Sequence, residues 1–259
     1  MKKKYLSYVN YREYKEYTPS NTLFENVEHM EIKLYSKEDI LLKLLYPEVI
    51  SQNRLNTLNS LDRINHKDCT KIYDLIESFD GRIGYTMEKY NYYKTLKYYV
   101  KRLNKRNTPL SERKKLIRRI NDIFEYFLSI GFLYYDVHLN NIIMLDDSIK
   151  VVDLDSGIFE DNAFFAPNSY HKTAEKYKVE MLNSMAYTYL QILLGTSINL
   201  KREILVNGHA SKIARLLDEK GSDLFKHALY IDETISNPIE SVESMKEESI
   251  DEIRKIILK

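Results

Sequence analysis

The sequence predicts an α+β chain in two parts, a strand-rich stretch of about 90 residues followed by a mainly helical remainder. Three observations predict it. Short runs of strand formers separated by polar turns occupy residues 29–87, and helical periodicity takes over from Tyr92. The chain holds seven glycines, yet the first is Gly81, so the opening segment forms its turns without them. At 259 residues the chain is long enough for two lobes sharing a cleft. The division is drawn as 1–87, a small antiparallel sheet lobe with one helix, and 88–259, a mainly α-helical lobe.

The elements follow in order. Residues 29–45 read as a hairpin, with Ser36-Lys-Glu-Asp39 as its turn and Ile-Leu-Leu-Lys43-Leu-Leu as its second strand. From Glu48 to about Asn65, apolar residues at Val49, Ile50, Leu55, Leu58, Leu61 and Ile64 approach helical spacing. Lys71-Ile-Tyr-Asp-Leu-Ile and Ile83-Gly-Tyr-Thr-Met87 read as strands joined across Ser78-Phe-Asp-Gly81, because Asp-Gly before a fresh apolar run is a hairpin signal. Tyr92 to Asn104 is a short helix. Ser111 to Ile130 is the clearest one, with Leu116, Ile120, Ile123, Phe124, Phe127 and Leu128 in one stripe and Gly131 as its C-terminal cap. Strands at Ile142–Leu145 and Ile149–Val152 follow, then amphipathic helices at 179–194, 211–219 and 248–258.

Composition bounds the function. The 39 basic and 38 acidic side chains leave a formal charge of +1, which gives no general attraction to nucleic acid or to an anionic membrane. Cys69 is the only cysteine, so no intrachain disulfide can form. The start has basic residues but no apolar h-region, and no stretch approaches the roughly 18 apolar residues of a membrane span. A cytoplasmic protein is the expectation. Apart from His138 the histidines lack metal-ligand spacing, so a zinc site is not expected.

The densest polar information lies at 134–155. Asp136, His138 and Asn141 fall within six residues, between a long helix and a strand. Seventeen residues beyond Asp136 comes Val-Val-Asp153-Leu-Asp155-Ser-Gly157. Phosphoryl transfer calls for this inventory: one carboxylate to orient a hydroxyl, and a second carboxylate with an amide oxygen to hold Mg²⁺ on phosphates. Read without that chemistry, the same Asp and Asn residues would be caps and turn formers.

The order helix, Gly131, Phe-Leu-Tyr-Tyr-Asp136-Val-His138-Leu-Asn140-Asn141-Ile-Ile, hairpin, Val-Val-Asp153 resembles the catalytic loop and metal-binding aspartate of the protein-kinase-like superfamily. Its Asp-x-His-x-x-Asn form resembles the aminoglycoside and choline kinase branch, since protein kinases usually carry Lys where His138 stands. Thr86-Met87-Glu88-Lys-Tyr90 is similar to the gatekeeper and hinge that bind adenine. Phe165-Ala166-Pro167-Asn168 is similar to the Ala-Pro-Glu motif that ends an activation segment, and 180–195 resembles the central helix after it. The resemblance covers residues 29 to 195.

It implies a two-lobed kinase-like fold, ATP and Mg²⁺ as cofactors, and a protein or small-molecule hydroxyl as acceptor. Asp136 would be the catalytic base, with His138 beside the γ-phosphate as a donor. Asn141 and Asp153 would hold the metal, and Met87, Glu88 and Tyr90 the base. Lys43, 93 residues before Asp136, would contact the α- and β-phosphates, with Lys33 as second choice. Asp155 would assist at the metal or cap the turn. Bacterial Ser/Thr protein kinases set the first expectation for the acceptor; a small-molecule kinase or a weakly catalytic binding module are the alternatives. Three departures accompany the resemblance. No glycine-rich loop is present at 21–35. The helix at 48–65 offers no mid-helix Glu for Lys43, leaving Asn53, Asn56, Asn59 or Asp62. Tyr134-Tyr135 replaces the usual His-Arg, so control by activation-loop phosphorylation is not expected.

Overall fold

A computed structural model describes residues 2–17, 32–46, 48, 50–146, 148–162, 173–229 and 237–258. The Phe165–Asn168 motif and the glycine-free 21–31 segment lie outside the described residues. In chain order the elements begin with β1 (Lys2–Leu6), α1 (Tyr8–Tyr11), β2 (Lys15–Glu16), β3 (Ile32–Lys37), β4 (Ile40–Leu45) and α2 (Gln52–Ser60). They continue with β5 (Ile72–Ser78), β6 (Ile83–Glu88), β7 (Lys94–Thr95), α3 (Leu96–Leu103), α4 (Leu110–Ser129) and β8 (Phe132–Leu133). After β9 (Ile142–Met144), β10 (Ile149–Val151) and β11 (Ile158–Phe159) come α5 (Ala174–Leu194), α6 (Ala210–Ala214), α7 (Glu219–Ala228), α8 (Ile239–Ser244) and α9 (Glu247–Ile257).

The chain divides into two compact units. The first comprises Met1–Lys94, Phe127–Phe132 and Ile142–His171; the second comprises Thr95–Tyr126, Leu133–Asn141 and Lys172–Lys259.

A six-stranded sheet in the order β1-β5-β6-β4-β3-β2 dominates the first unit. The hairpin β3–β4 turns at Glu38, whose φ of 52° is left-handed. The hairpin β5–β6 turns at Gly81, with φ 81°. Both are the local pairings that sequence patterning anticipates. Two pairings are not local. β4 pairs antiparallel with β6, setting Lys43 opposite Tyr85, and β1 pairs parallel with β5, setting Lys2 opposite Asp74. The Lys-rich start is therefore an edge strand. Lys4 meets Asp74 at 2.6 Å and Lys3 meets Glu77 at 2.9 Å, so its charges find partners on β5. Charged residues on an edge strand also discourage further strand addition.

One face of the sheet buries Leu6, Tyr35, Leu42, Leu44 and Ile76, with Tyr11 and Tyr14 packed against them. On the other face stand Lys43 and Tyr85. Helix α2 begins only at Gln52, because Ser51 caps it by accepting from the Arg54 N–H at 3.2 Å. It ends at Ser60 and continues as one 3₁₀ turn, Leu61–Arg63.

The second unit is helical. Thr95 caps α3 by accepting from Tyr98 N–H, so this helix starts four residues later than the Tyr92 expected from periodicity. Helix α4 matches its apolar stripe, with Ile120, Ile123 and Phe124 fully buried. Helix α5 is buried on almost every face from Met181 to Leu194, the signature of a core helix. It stops at Gly195 (φ 62°), where a Cβ would sit 2.3 Å from Asn104 Oδ1. The stretch 211–219 is not one helix: Asp218 accepts from Gly221 N–H at 2.8 Å and starts α7 afresh. Among the described residues no helix is long and apolar enough to cross a membrane.

Candidate active site

Each unit carries one group of the chemically marked residues. In the first unit the group is built on β4, β6, α2 and the turn after β10. Strand β10 is held in place by Thr70 N–H donating to Val151 O at 2.9 Å and Val151 N–H donating to Asp68 O at 2.8 Å. It runs into Asp153, whose φ of 62° and ψ of 40° place a non-glycine residue in left-handed backbone. Such a conformation costs about 1–3 kcal/mol and concentrates at functional sites. The 3₁₀ turn Leu154–Ser156 follows, and Ser156 Oγ–H donates to Asp153 Oδ2 at 2.9 Å.

Lys43, 3% exposed, donates to Asp153 Oδ1 and to Asp155 Oδ1, the latter at 2.7 Å. The Asp155 side chain is fully buried and accepts from four donors on three other side chains. Besides Lys43 these are the Tyr85 hydroxyl at 2.5 Å and Arg54 through Nη2 at 2.5 Å and Nε at 3.2 Å. Two cations and two carboxylates balance in charge, which permits the burial of Lys43 and Asp155 among them. Burial alone would raise the Asp155 carboxyl, but Lys43 and Arg54 more than reverse this and hold it well below the usual carboxylate range. Burial likewise opposes the Lys43 ammonium, and Asp153 and Asp155 together lift it above its ordinary value. Burial, with both carboxylates, pushes the Tyr85 phenol well above 10, so it remains a donor.

Asp155 is the feature that sequence reasoning undervalued. Its side chain is fully buried and accepts from Lys43, Arg54 and Tyr85. None of Asn53, Asn56, Asn59 and Asp62 is the Lys43 partner. Instead α2 presents a cation, Arg54, to the same carboxylate. The spacing Asp-x-Asp and an Arg in the first turn of α2 were visible signals. The pairing of β4 with β6, which sets Tyr85 beside Lys43, was not.

Also in this unit, Met87 is buried near the end of β6, and Glu88 Oε2 accepts from the Tyr90 hydroxyl at 2.9 Å. The Glu88 N–H donates to Lys71 O and the Lys89 N–H to Asp39 O, so these two amides already serve the sheet. Lys33 lies on β3, opposite Leu44 in the register.

In the second unit, Asp136, His138 and Asn141 sit together on the loop that leads to β9. Asn141 Nδ2 donates to Asp136 Oδ2 at 2.9 Å and to Asp136 O at 3.1 Å, and its own N–H donates to His138 O at 3.0 Å. His138 Nδ1 accepts from Asn140 N–H at 3.2 Å, which puts the neutral ring's proton on Nε2, 3.5 Å from Asp136 Oδ1. The Asp136 and His138 side chains are 41% and 43% exposed, open to a ligand while their backbone is fixed. That fixing comes from α5 and α3. Ser184 Oγ–H donates to Tyr135 O, Thr188 Oγ1–H donates to Val137 O, both at 3.3 Å, and Lys97 N–H donates to Leu139 O at 3.0 Å. Tyr134 is fully buried and stacks with Phe124, while the Tyr135 ring lies 4.9 Å from that of Tyr177. The two tyrosines thus anchor the loop by packing.

Among known structures, the kinase domain of PknI from Mycobacterium tuberculosis, solved as a double mutant, is similar to this chain with a TM-score of 0.52 and 16% identity. The match covers 84% of this chain and 90% of that one. No family model matches the chain, and no curated protein matches it. The chain has a protein-kinase-like fold, with a β-sheet N-terminal region and a helical C-terminal part.

Proposed function

We propose that the chain is an ATP- and Mg²⁺-dependent phosphotransferase acting on alcohol hydroxyls, in the first place Ser or Thr of a protein. The observation that carries this reading is Asp153, a carboxylate in left-handed backbone at a strand end with a buried lysine on it. Bound MgATP would supply the γ-phosphoryl group and neutralise charge on its oxygens.

The residues fit those ligands. Among the described residues no three His, Cys, Asp or Glu cluster as a metal cage. Magnesium commonly takes one or two protein ligands and completes its shell with phosphate oxygens and water, so Asp153 would serve as one such ligand. In the first unit Asp153 is a third exposed and would offer its carboxylate to a hard cation; in the second, the donation of Asn141 Nδ2 to Asp136 leaves Asn141 Oδ1 as an acceptor. An ammonium has three donors. Lys43 uses two on carboxylates, and its third would meet an α- or β-phosphate. Met87, Glu88 and Tyr90 would border the adenine. Asp136 would orient the acceptor hydroxyl and take up its proton, and His138 would donate through Nε2–H to a phosphoryl oxygen.

His138 also favours a second reading, a small-molecule acceptor as in aminoglycoside or choline kinases, because it stands where protein kinases usually carry Lys. Transfer of labelled phosphate from ATP, with protein and small-molecule acceptors offered in parallel, separates the two. Wild type is expected to label a protein acceptor, and Asp136→Ala and Asp153→Ala to label nothing. Labelling of small molecules alone selects the second reading. Nucleotide binding with no transfer makes the chain a binding module. Full transfer by both variants overturns the residue assignments.

A further inference from the structure

In the first unit the lysine on β4 has no carboxylate from helix α2. That helix brings Arg54 instead, and the carboxylate comes from Asp155 on the turn that also carries Asp153. Two readings of Asp155 compete. As a purely structural ion pair it would serve only to fasten α2 to the sheet. As a positioning group it would set the direction of the Lys43 ammonium.

The geometry favours the second. Helix α2 is already fastened to the 157–162 segment without Asp155. Thr57 Oγ1–H donates to Gly157 O at 2.9 Å, Asn162 Nδ2 donates to Ser60 Oγ at 2.8 Å, and Arg63 pairs with Asp161 at 2.9 Å while its guanidinium lies 4.0 Å from the Phe159 ring centre. The Asp155 side chain has no exposure, and its Oδ1 is shared by Lys43 and Tyr85, both from the sheet. Tyr85 faces Lys43 across the β4–β6 ladder, with its ring centre 5.9 Å from the ammonium and its hydroxyl on the same carboxylate. Phe132 closes the same turn from below: a Cβ on Gly157 would meet its ring at 2.3 Å. The turn is thus packed at Gly157 and hydrogen-bonded at Asp153, on both sides of Asp155.

We propose that Asp155 is the positioning residue for Lys43, doing from the strand-end turn what a carboxylate on α2 does not supply here. Arg54 is the satellite of that carboxylate and not the reverse. Lys43 then stays aligned whatever α2 does, because both of its carboxylate partners, Asp153 and Asp155, lie on one turn. In the phosphotransferase reading, on which the role in nucleotide binding rests, the consequence is a nucleotide lysine held ready without help from the helix.

The test uses the full chain and two readouts, the ¹H–¹⁵N signal of the Lys43 ammonium, sharp only when the group is held, and the affinity for MgATP by calorimetry. Wild type is expected to show the signal. Arg54→Gln is expected to lower the melting temperature and keep the signal. Asp155→Asn is expected to lose it and to weaken MgATP binding by about tenfold. Asp155→Glu keeps the charge and safeguards folding, and is expected to retain the signal at a shifted position with an intermediate affinity. A Lys43 signal unchanged in folded Asp155→Glu or Asp155→Asn, or lost in folded Arg54→Gln, overturns the positioning role. If the signal behaves as expected but wild type binds no MgATP, the positioning role stands and the phosphotransferase reading falls.

Discussion

Replacing Tyr85 by Phe removes one oxygen atom and leaves the ring volume nearly unchanged, which makes it a clean probe of the buried ion cluster. The lost hydroxyl donates to Asp155 Oδ1 at 2.5 Å, and the Asp155 side chain has no exposure, so water cannot take its place. A hydrogen bond to a charged group is worth about 1.5–3 kcal/mol. At about 2–4 °C per kcal/mol for a chain of this size, the melting temperature should fall by about 3–12 °C. In an Asp155→Asn background the hydroxyl faces an amide, and the same replacement should cost less than about 1 kcal/mol. The assay is thermal unfolding of the four chains of this cycle. Asp155 titrates low in the folded chain, so the cluster's contribution is complete above the ordinary carboxylate value of about 4 and is lost as pH falls below it. Lys43 and Tyr85 titrate high, so their contributions are complete below about pH 10 and fade above it. The cycle therefore belongs at neutral pH. An identical drop in both backgrounds, or none in wild type, would refute the coupling of Tyr85 to Asp155.

Two further outcomes follow from burial and backbone approach. Cys69 is 4% exposed and burial pushes its thiol up to about 12, so a thiol reagent at pH 8 should react with it only as fast as the chain opens, and at once in denaturant. Fast reaction in the native chain would contradict that burial. A Cβ on Gly84 would lie 1.8 Å from the Lys43 carbonyl oxygen, so Gly84→Ala should force β6 away from β4 and lower the urea midpoint by an amount equal to about 1–3 kcal/mol or more. An unchanged midpoint would mean that the two strands can separate freely there.

How far the sequence revealed all this depends on the range of each interaction. Helix α4 was legible because its stripe, its polar faces and Gly131 lie within about 20 residues and encode one another. The β3–β4 and β5–β6 hairpins were legible for the same reason. The parallel pairing of β1 with β5 was not, since it joins residues some 70 positions apart and β1 has no alternating apolar pattern, only three lysines, an exposed Tyr5 and a buried Leu6. The candidate site divides in the same way. Asp136, His138 and Asn141 hold one another within six residues, so their grouping could be read from spacing. Asp155 could not be valued, because its partners Lys43, Arg54 and Tyr85 lie 112, 101 and 70 positions away. Patterning treats an Asp as exposed unless a partner is known, and here the partners are fixed only by tertiary pairing.

Thermal unfolding with and without ATP and Mg²⁺ tests most directly the proposal that Lys43 and Asp153 hold a nucleotide. A ligand that binds only the native chain raises its stability, by about 2.7 kcal/mol at a hundredfold excess over Kd. The expected result is a rise in melting temperature that needs ATP and Mg²⁺ together and that is absent in Asp153→Ala. No metal-dependent rise at millimolar ATP, or an equal rise in Asp153→Ala, would contradict it.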